Sequence, residues 1–288
     1  MTAATAAFEG LRFRPLAPAD LAGAVALSAE AGWNQTAEDW RLMLAGGPTL
    51  GVEAPDGRLI ASALANVYEA RIAWIAMVLV SRAWRRRGLA TELMRRSVAA
   101  CRGAGLITGL DATPAGREVY RPLGFRDVYR FTRLEAARSR AEAPMAAVRR
   151  LEIGDLDRVV AYDRAVSGMA RRALIESLLR RRPEQAWLAE RGGRVTGVAL
   201  ARDGRRALQI GPVLADDGET AAALARAALC GVDGAVFIDV LDDKPGFRAV
   251  LEAAGFTAQR GYIRMLLERA TSLDDPARVH AVAGPEFG

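Results

Sequence analysis

Between residues 74 and 102 the apolar positions change from a continuous run to a helical spacing, and the chain is organised around that change. Residues 74–80 read Trp-Ile-Ala-Met-Val-Leu-Val, short, β-branched and bounded by polar residues, the pattern of a buried strand. From Gly88 onward Leu89, Leu93, Met94, Ser97, Val98 and Cys101 fall on one helical face. Ser81-Arg-Ala-Trp-Arg-Arg-Arg-Gly88 joins the two. A strand that enters a helix through an Arg- and Gly-bearing loop presents free backbone N–H groups and the positive end of a helix dipole, the parts of a phosphate or pyrophosphate cradle. Gly88 lets the backbone approach a ligand without a Cβ, and Ala90 keeps the next turn thin.

The same patterning predicts the elements on either side. Residues 11–15 alternate as a first strand, and Pro18-Ala-Asp20 opens a helix ended by Gly32-Trp33-Asn34-Gln35. Thr36, with Asp39 three residues on, starts a second helix that Gly46-Gly47-Pro48 closes. Strands at 49–53 and 59–67 flank the hairpin turn Pro55-Asp56-Gly57. After the central helix come a strand at 106–111, a helix start at Thr113-Pro114, Tyr120, Gly124-Phe125 and an alternating last strand. Residues 136–146, rich in Ala, Arg and Glu, read as a linker.

The second half repeats the first at domain length. Arg14, Asp20 and Leu21 have counterparts in Arg149, Asp155 and Leu156. Asp111 matches Asp239, Gly124-Phe125 matches Gly255-Phe256, and Phe131-Thr-Arg133 matches Tyr262-Ile-Arg264. A tandem duplication of one α/β domain accounts for this, with second-copy strands at 186–190, 195–201, 207–213 and 235–240. Where the first copy has its arginine loop, the second has Ala215-Asp-Asp-Gly-Glu-Thr220. Those carboxylates cap a helix N-terminus by themselves, and set against a pyrophosphate they cost on the order of one to several kcal/mol.

Composition narrows the function. The chain has 288 residues, 51% hydrophobic and 26% charged, enough for two domains that each bury a core. A net charge of +6 raises nucleic acid as a partner. However, the basic residues are almost all Arg, and Lys244 is the only lysine, which fits a GC-rich coding bias. The runs at 85–87 and 180–182 lack interleaved aromatics, so no nucleic-acid partner is expected. Cys101 and Cys230 fall in predicted helices far apart, and His280 is the only histidine, in a Pro- and Gly-bearing tail. No metal site, disulfide or histidine triad is expected. With neither a signal peptide nor a transmembrane-length run, no membrane partner and a cytoplasmic location are expected.

The spacing Arg85-x-x-Gly88-x-Ala90 after a strand, the order βααβββαβαβ and the late Tyr120-x-x-x-Gly124-Phe125 together resemble the GCN5-related N-acetyltransferase (GNAT) superfamily. Gly32-Trp33-Asn34 and Leu110-Asp-Ala-Thr-Pro-Ala-Gly116 resemble a bacterial branch in which an intact domain precedes a degenerate one of the YitH/HolE type. The resemblance implies an α/β fold of two tandem GNAT-like domains, each a central twisted mixed sheet flanked by helices. The expected division is a tail at 1–10, a catalytic domain at 11–135, a linker at 136–146, a degenerate domain at 147–268 and a tail at 269–288.

By the same resemblance the chain is an acetyl-CoA-dependent N-acetyltransferase acting on an amine of a small molecule or peptide by direct attack in a ternary complex. Its alternative is a non-catalytic acyl-CoA sensor or interaction protein on the same fold. In the family the pantetheine arm pairs with the exposed fourth strand like an added strand, which here implies Met77, Val78, Leu79 and Val80. The pyrophosphate is implied on Arg85, Arg86, Arg87, Gly88, Leu89, Ala90 and Thr91. Tyr120 stands where the family's thiolate proton donor stands, with Tyr129 behind it. Trp33 and Asn34 lie where the family walls the acceptor pocket, or else form a core Trp with a capping Asn. Glu53, Glu69 and Asp111 are acids near strand ends, and none is singled out as base. The second copy is a lid, a substrate-binding half or a domain kept for stability. Monomer and homodimer both remain open.

Overall fold

The computed structural model describes residues 8–138 and 147–288, and the chain divides into two compact units, residues 1–109 and 110–288. The linker expectation at 139–146 lies outside the described residues, and Ala136 ends a strand.

The first unit carries β1 (Arg12–Arg14), α1 (Leu21–Glu30), α2 (Ala37–Ala45), β2 (Thr49–Glu53), β3 (Leu59–Tyr68), β4 (Ile72–Val80), α3 (Leu89–Gly103) and the start of β5 (Ile107–Ala112). Strands β1 to β4 are antiparallel neighbours in order, and β5 joins β4 in parallel. Local chemistry sets the boundaries. The Asp39 carboxylate accepts from the Thr36 N–H at 2.8 Å, the capping box that starts α2. Gly57 at φ 82° turns the β2–β3 hairpin, which an L side chain would strain. Leu89, Leu93, Met94, Val98 and Cys101 form the buried stripe of α3, and Leu89 and Leu93 pack with Val52, Ile60 and Ala61 of the sheet.

The second unit holds α4 (Pro114–Tyr120), β6 (Phe125–Ala136), β7 (Val148–Arg150), α5 (Leu156–Ser167), α6 (Arg172–Arg181), β8 (Trp187–Arg191), β9 (Arg194–Arg202), β10 (Leu208–Ala215), α7 (Gly218–Leu229), β11 (Val236–Leu241), α8 (Pro245–Ala253), β12 (Thr257–Leu267) and β13 (Val279–Ala281). Its sheet runs β12-β6-β11-β13-β10-β9-β8-β7. The predicted second-copy strands appear within two residues of their expected bounds. An alanine-rich face of α7, with its Leu224, packs with Ile210, Val236 and Ile238 into one core.

Three features of the structure bear on stretches named in the sequence. Strand β6, with which the domain expected at 11–135 ends, pairs with β12 over residues 125–135 and with β11 over residues 131–136, and lies in the second unit. The tail expected at 269–288 contains β13 and is buried at Val279, His280, Ala281, Val282, Ala283, Glu286 and Phe287. Its short apolar run Val-His-Ala-Val-Ala gains two strand neighbours, which a solvated tail would not supply. Cys230 is the first residue after α7 rather than a residue within it. Among the described residues no helix is long and apolar enough to cross a membrane, and no group of acidic, His or Cys residues could hold a metal.

Candidate active site

In the first unit the turn from β4 to α3 is built from exposed residues with unusual backbone. Arg86 lies at φ 62° and Gly88, the N-cap of α3, at φ 81°. A Cβ built on Gly88 meets only the Phe8 ring edge, 3.8 Å away, so the space above this residue is open. The first helical hydrogen bond runs from the Glu92 N–H to the Gly88 carbonyl at 3.0 Å, and no side chain caps the helix. Among the described residues nothing accepts from the backbone N–H groups of Arg86, Arg87, Gly88, Leu89, Ala90 or Thr91. Unsatisfied donors at a helix N-terminus carry roughly half a positive charge and bind anions.

The surrounding charges leave that end positive. Glu92 is the acid of the first turn, and its hydrogen bond from Arg95, seconded by Arg96, holds its carboxyl down to about 2. The arginine run divides its work. Arg85 Nε donates to the Val80 carbonyl at 3.0 Å, and Arg87 lies 4.7 Å over the Trp84 ring. Arg86 is exposed and has no ion-pair partner among the described residues.

Strand β4 supplies the second component. It pairs with β5 only over residues 72–74, and its own ladder with β3 is broken by a bulge at Met77, which sits at φ 53°. Ser81 donates to the Ile60 carbonyl across the β3 ladder, so by strand alternation Val80, on the regular side of the bulge, turns its N–H and C=O groups away from β3. Met77 and Leu79 are buried, and the Met77 carbonyl accepts from Ser62 Oγ at 2.8 Å. Also in this unit, Asn34 is buried and Trp33 half-buried in the turn between α1 and α2, where the Trp33 N–H donates to the Ser28 carbonyl. Glu53 accepts from Arg14 at 2.8 Å.

Within the second unit, Tyr120 ends α4, its ring 6.2 Å from that of Phe125 and seated over Gly116, where a Cβ would fall 3.0 Å from the tyrosine ring. Burial pushes its phenol up to about 12, so it is protonated at neutral pH, and its hydroxyl has no partner among the described residues. Tyr129 differs: its hydroxyl donates to Asp274 at 2.6 Å. Asp111 is fully buried against Arg264, and burial pushes its carboxyl up to about 6 against the pull of that guanidinium. The residues that engage Asp111 and Asp239, Arg264 and Arg133, were visible in the sequence only as members of the repeat.

The second copy supplies an internal control. Its helix α7 is capped by Asp217, whose carboxylate accepts from the Thr220 N–H at 2.7 Å, a bond that lowers the carboxyl's pKa. The positive end that α3 leaves open is here satisfied by the chain itself.

Comparison with known proteins identifies the family of both halves. The acetyltransferase (GNAT) family matches residues 25–125, and an acetyltransferase (GNAT) domain family matches residues 159–280. The chain is a tandem GNAT protein. It is 24% identical over 245 residues to the uncharacterized N-acetyltransferase YitH of Bacillus subtilis, covering 82% of this chain and 84% of that one. A putative acetyltransferase from Pyrococcus horikoshii shares its fold with a TM-score of 0.81 at 21% identity, over 98% of this chain and 97% of that one. A tandem GNAT protein from the clavulanic acid biosynthesis pathway matches with a TM-score of 0.66 at 14% identity, over 89% and 98% of the two chains. The two GNAT copies therefore correspond to the repeat read in the sequence, and the chain belongs to the acetyltransferase family.

Proposed function

We propose that the N-terminal GNAT copy transfers an acetyl group from acetyl-CoA to an amine of a small molecule or peptide. The observation that carries this reading is the row of N–H groups at residues 86–91 that have no acceptor among the described residues, at a helix start behind Gly88 that no described side chain caps. These residues fit the cofactor. A pyrophosphate finds donors and positive charge there, and the open space at Gly88 admits it. Val80 turns its backbone polar groups away from β3, which suits an extended amide-bearing arm added as a strand.

Acetyl-CoA supplies an activated thioester carbonyl; the chain positions it, stabilises the developing oxyanion and returns a proton to the departing sulfur. In this reading an N–H of the 77–80 segment polarises the carbonyl. Tyr120, protonated and with no competing hydrogen bond among the described residues, is the proton donor. Trp33 and Asn34 serve the acceptor side. No base is assigned, since Glu53 is engaged by Arg14 and Asp111 by Arg264.

An amine-panel assay that follows free thiol release tests the reading. Amine-dependent release supports it. Acetyl-CoA binding with no turnover against a broad panel, and no effect of Tyr120→Phe, favours a non-catalytic acyl-CoA sensor.

A further inference from the structure

In both copies the fourth and fifth strands are parallel neighbours for three residues and then part. In the first copy β4 and β5 pair at residues 72–74 and 107–109, and in the second β10 and β11 pair at 208–210 and 236–238. Beyond that point, among the described residues, β4 pairs with β3 alone, whereas in the second copy β13 lies between β10 and β11. The segment around it is hydrogen-bonded on both flanks. The Ala215 N–H of β10 donates to the Arg278 carbonyl at 3.0 Å, and the Val282 N–H donates to the Asp239 carbonyl of β11 at 3.0 Å. Val213 and Leu214 lie opposite Ala281 and Val279, and Val240 also lies opposite Ala281.

The fit is close. A Cβ on Gly211 would fall 2.1 Å from the Val282 carbonyl oxygen, and Gly211 holds φ 152°, so this position accepts glycine alone while the segment is seated. His280 is buried, with its ring edge-on to Phe247 at 5.4 Å. Beyond the strand, Arg202 pairs with Glu286 in a buried contact and stacks on Phe287, anchoring the segment that follows.

We propose that residues 278–282 are a built-in substitute for the cofactor arm: they occupy, in the second copy, the split that the first copy leaves for acyl-CoA. The chemistry is the same in both, an extended backbone adding to the parted edge of the fourth strand. With Asp217 on the helix start and a peptide in the split, the second copy is complete without a ligand, and the protein binds one acyl-CoA per chain. The stoichiometry rests on the proposed reading of the first copy; the seating of the strand does not.

Calorimetry and residue-resolved hydrogen exchange on the full chain test both. Titrated acetyl-CoA is expected to bind one per chain, to protect amides at 86–91 and to leave those at 213–215 and 279–282 unchanged. Two per chain, or new protection at 213–215, overturns the proposal. Absence of any acetyl-CoA binding removes the reading of the first copy, and the seating is then decided by exchange alone. In the wild type the Ala215 and Val282 amides are expected to be among the slow ones. In Gly211→Ala both are expected to exchange faster together, by roughly tenfold or more. Fast exchange at both in the wild type overturns the seating without any variant.

Discussion

The Arg264 guanidinium meets the Asp111 carboxylate edge to edge, Nε to Oδ1 at 3.0 Å and Nη2 to Oδ2 at 2.9 Å, with both side chains buried. Arg133 meets Asp239 in the same way, at 2.8 Å for both contacts. The sequence repeat equates Arg133 with Arg264 and Asp111 with Asp239. Each arginine therefore binds the aspartate of the other copy. Such a bidentate pair tolerates burial only while both charges are present.

Removing one partner leaves the other charged and dry. Arg264→Met is expected to cost about 3–5 kcal/mol in urea unfolding, because Asp111 and Asp274 both lose their cation. The double variant Arg264→Met with Asp111→Leu is expected to recover part of that loss, which identifies the stranded charge as the cause. A loss below ~1 kcal/mol for Arg264→Met contradicts the account.

Much of the candidate site was legible because its signals are local. The strand-to-helix change at 74–102, the Thr36 capping box and the Pro55-Asp56-Gly57 turn each depend on a few adjacent residues, and each appears in the structure. What the sequence withheld is long-range. The repeat displayed Arg133 and Arg264 but not which aspartate each reaches, since that is set by β6 lying between β11 and β12. Strand β13 spans only residues 279–281, too short for periodicity to distinguish from a loop. Its apolar Val279-His-Ala-Val-Ala283 was the one available signal.

Gly88→Glu places a carboxylate before the unpartnered amides of α3, at a backbone φ of 81° that side chains resist. Strain at φ > 0 costs on the order of 1 kcal/mol, small beside the stability of a folded domain. Acetyl-CoA affinity is expected to fall beyond detection by calorimetry while the circular dichroism spectrum is retained. Unchanged affinity in the folded variant sinks the cradle.

Tyr120→Phe deletes a hydroxyl that bonds nothing among the described residues and keeps the ring against Phe125. Stability is expected to stay within ~0.5 kcal/mol of the wild type. If the hydroxyl protonates the leaving sulfur, kcat for thiol release falls on the order of a hundredfold with acetyl-CoA affinity preserved. Equal fall in binding and rate indicates a packing role instead.

His280 titrates alone, since the chain has no other histidine. Burial is the main cause that lowers its pKa from 6.5 to about 4, with Lys244 adding to it. Between those values the unfolded chain binds the proton and the folded chain does not, so this group's contribution is present above pH 6.5 and is lost as pH falls toward 4. The full loss is about 3 kcal/mol at 1.4 kcal/mol per unit. Asp111 acts oppositely in part of this window, because its raised pKa makes the folded chain the better proton binder as pH falls toward 4. The wild-type curve alone therefore mixes two signs. The difference in unfolding free energy between wild type and His280→Gln is expected to shrink from pH 7 to pH 4, in step with an imidazole NMR titration centred near 4. A folded-state imidazole that titrates at 6.5 would show the ring to be in water, and β13 with it.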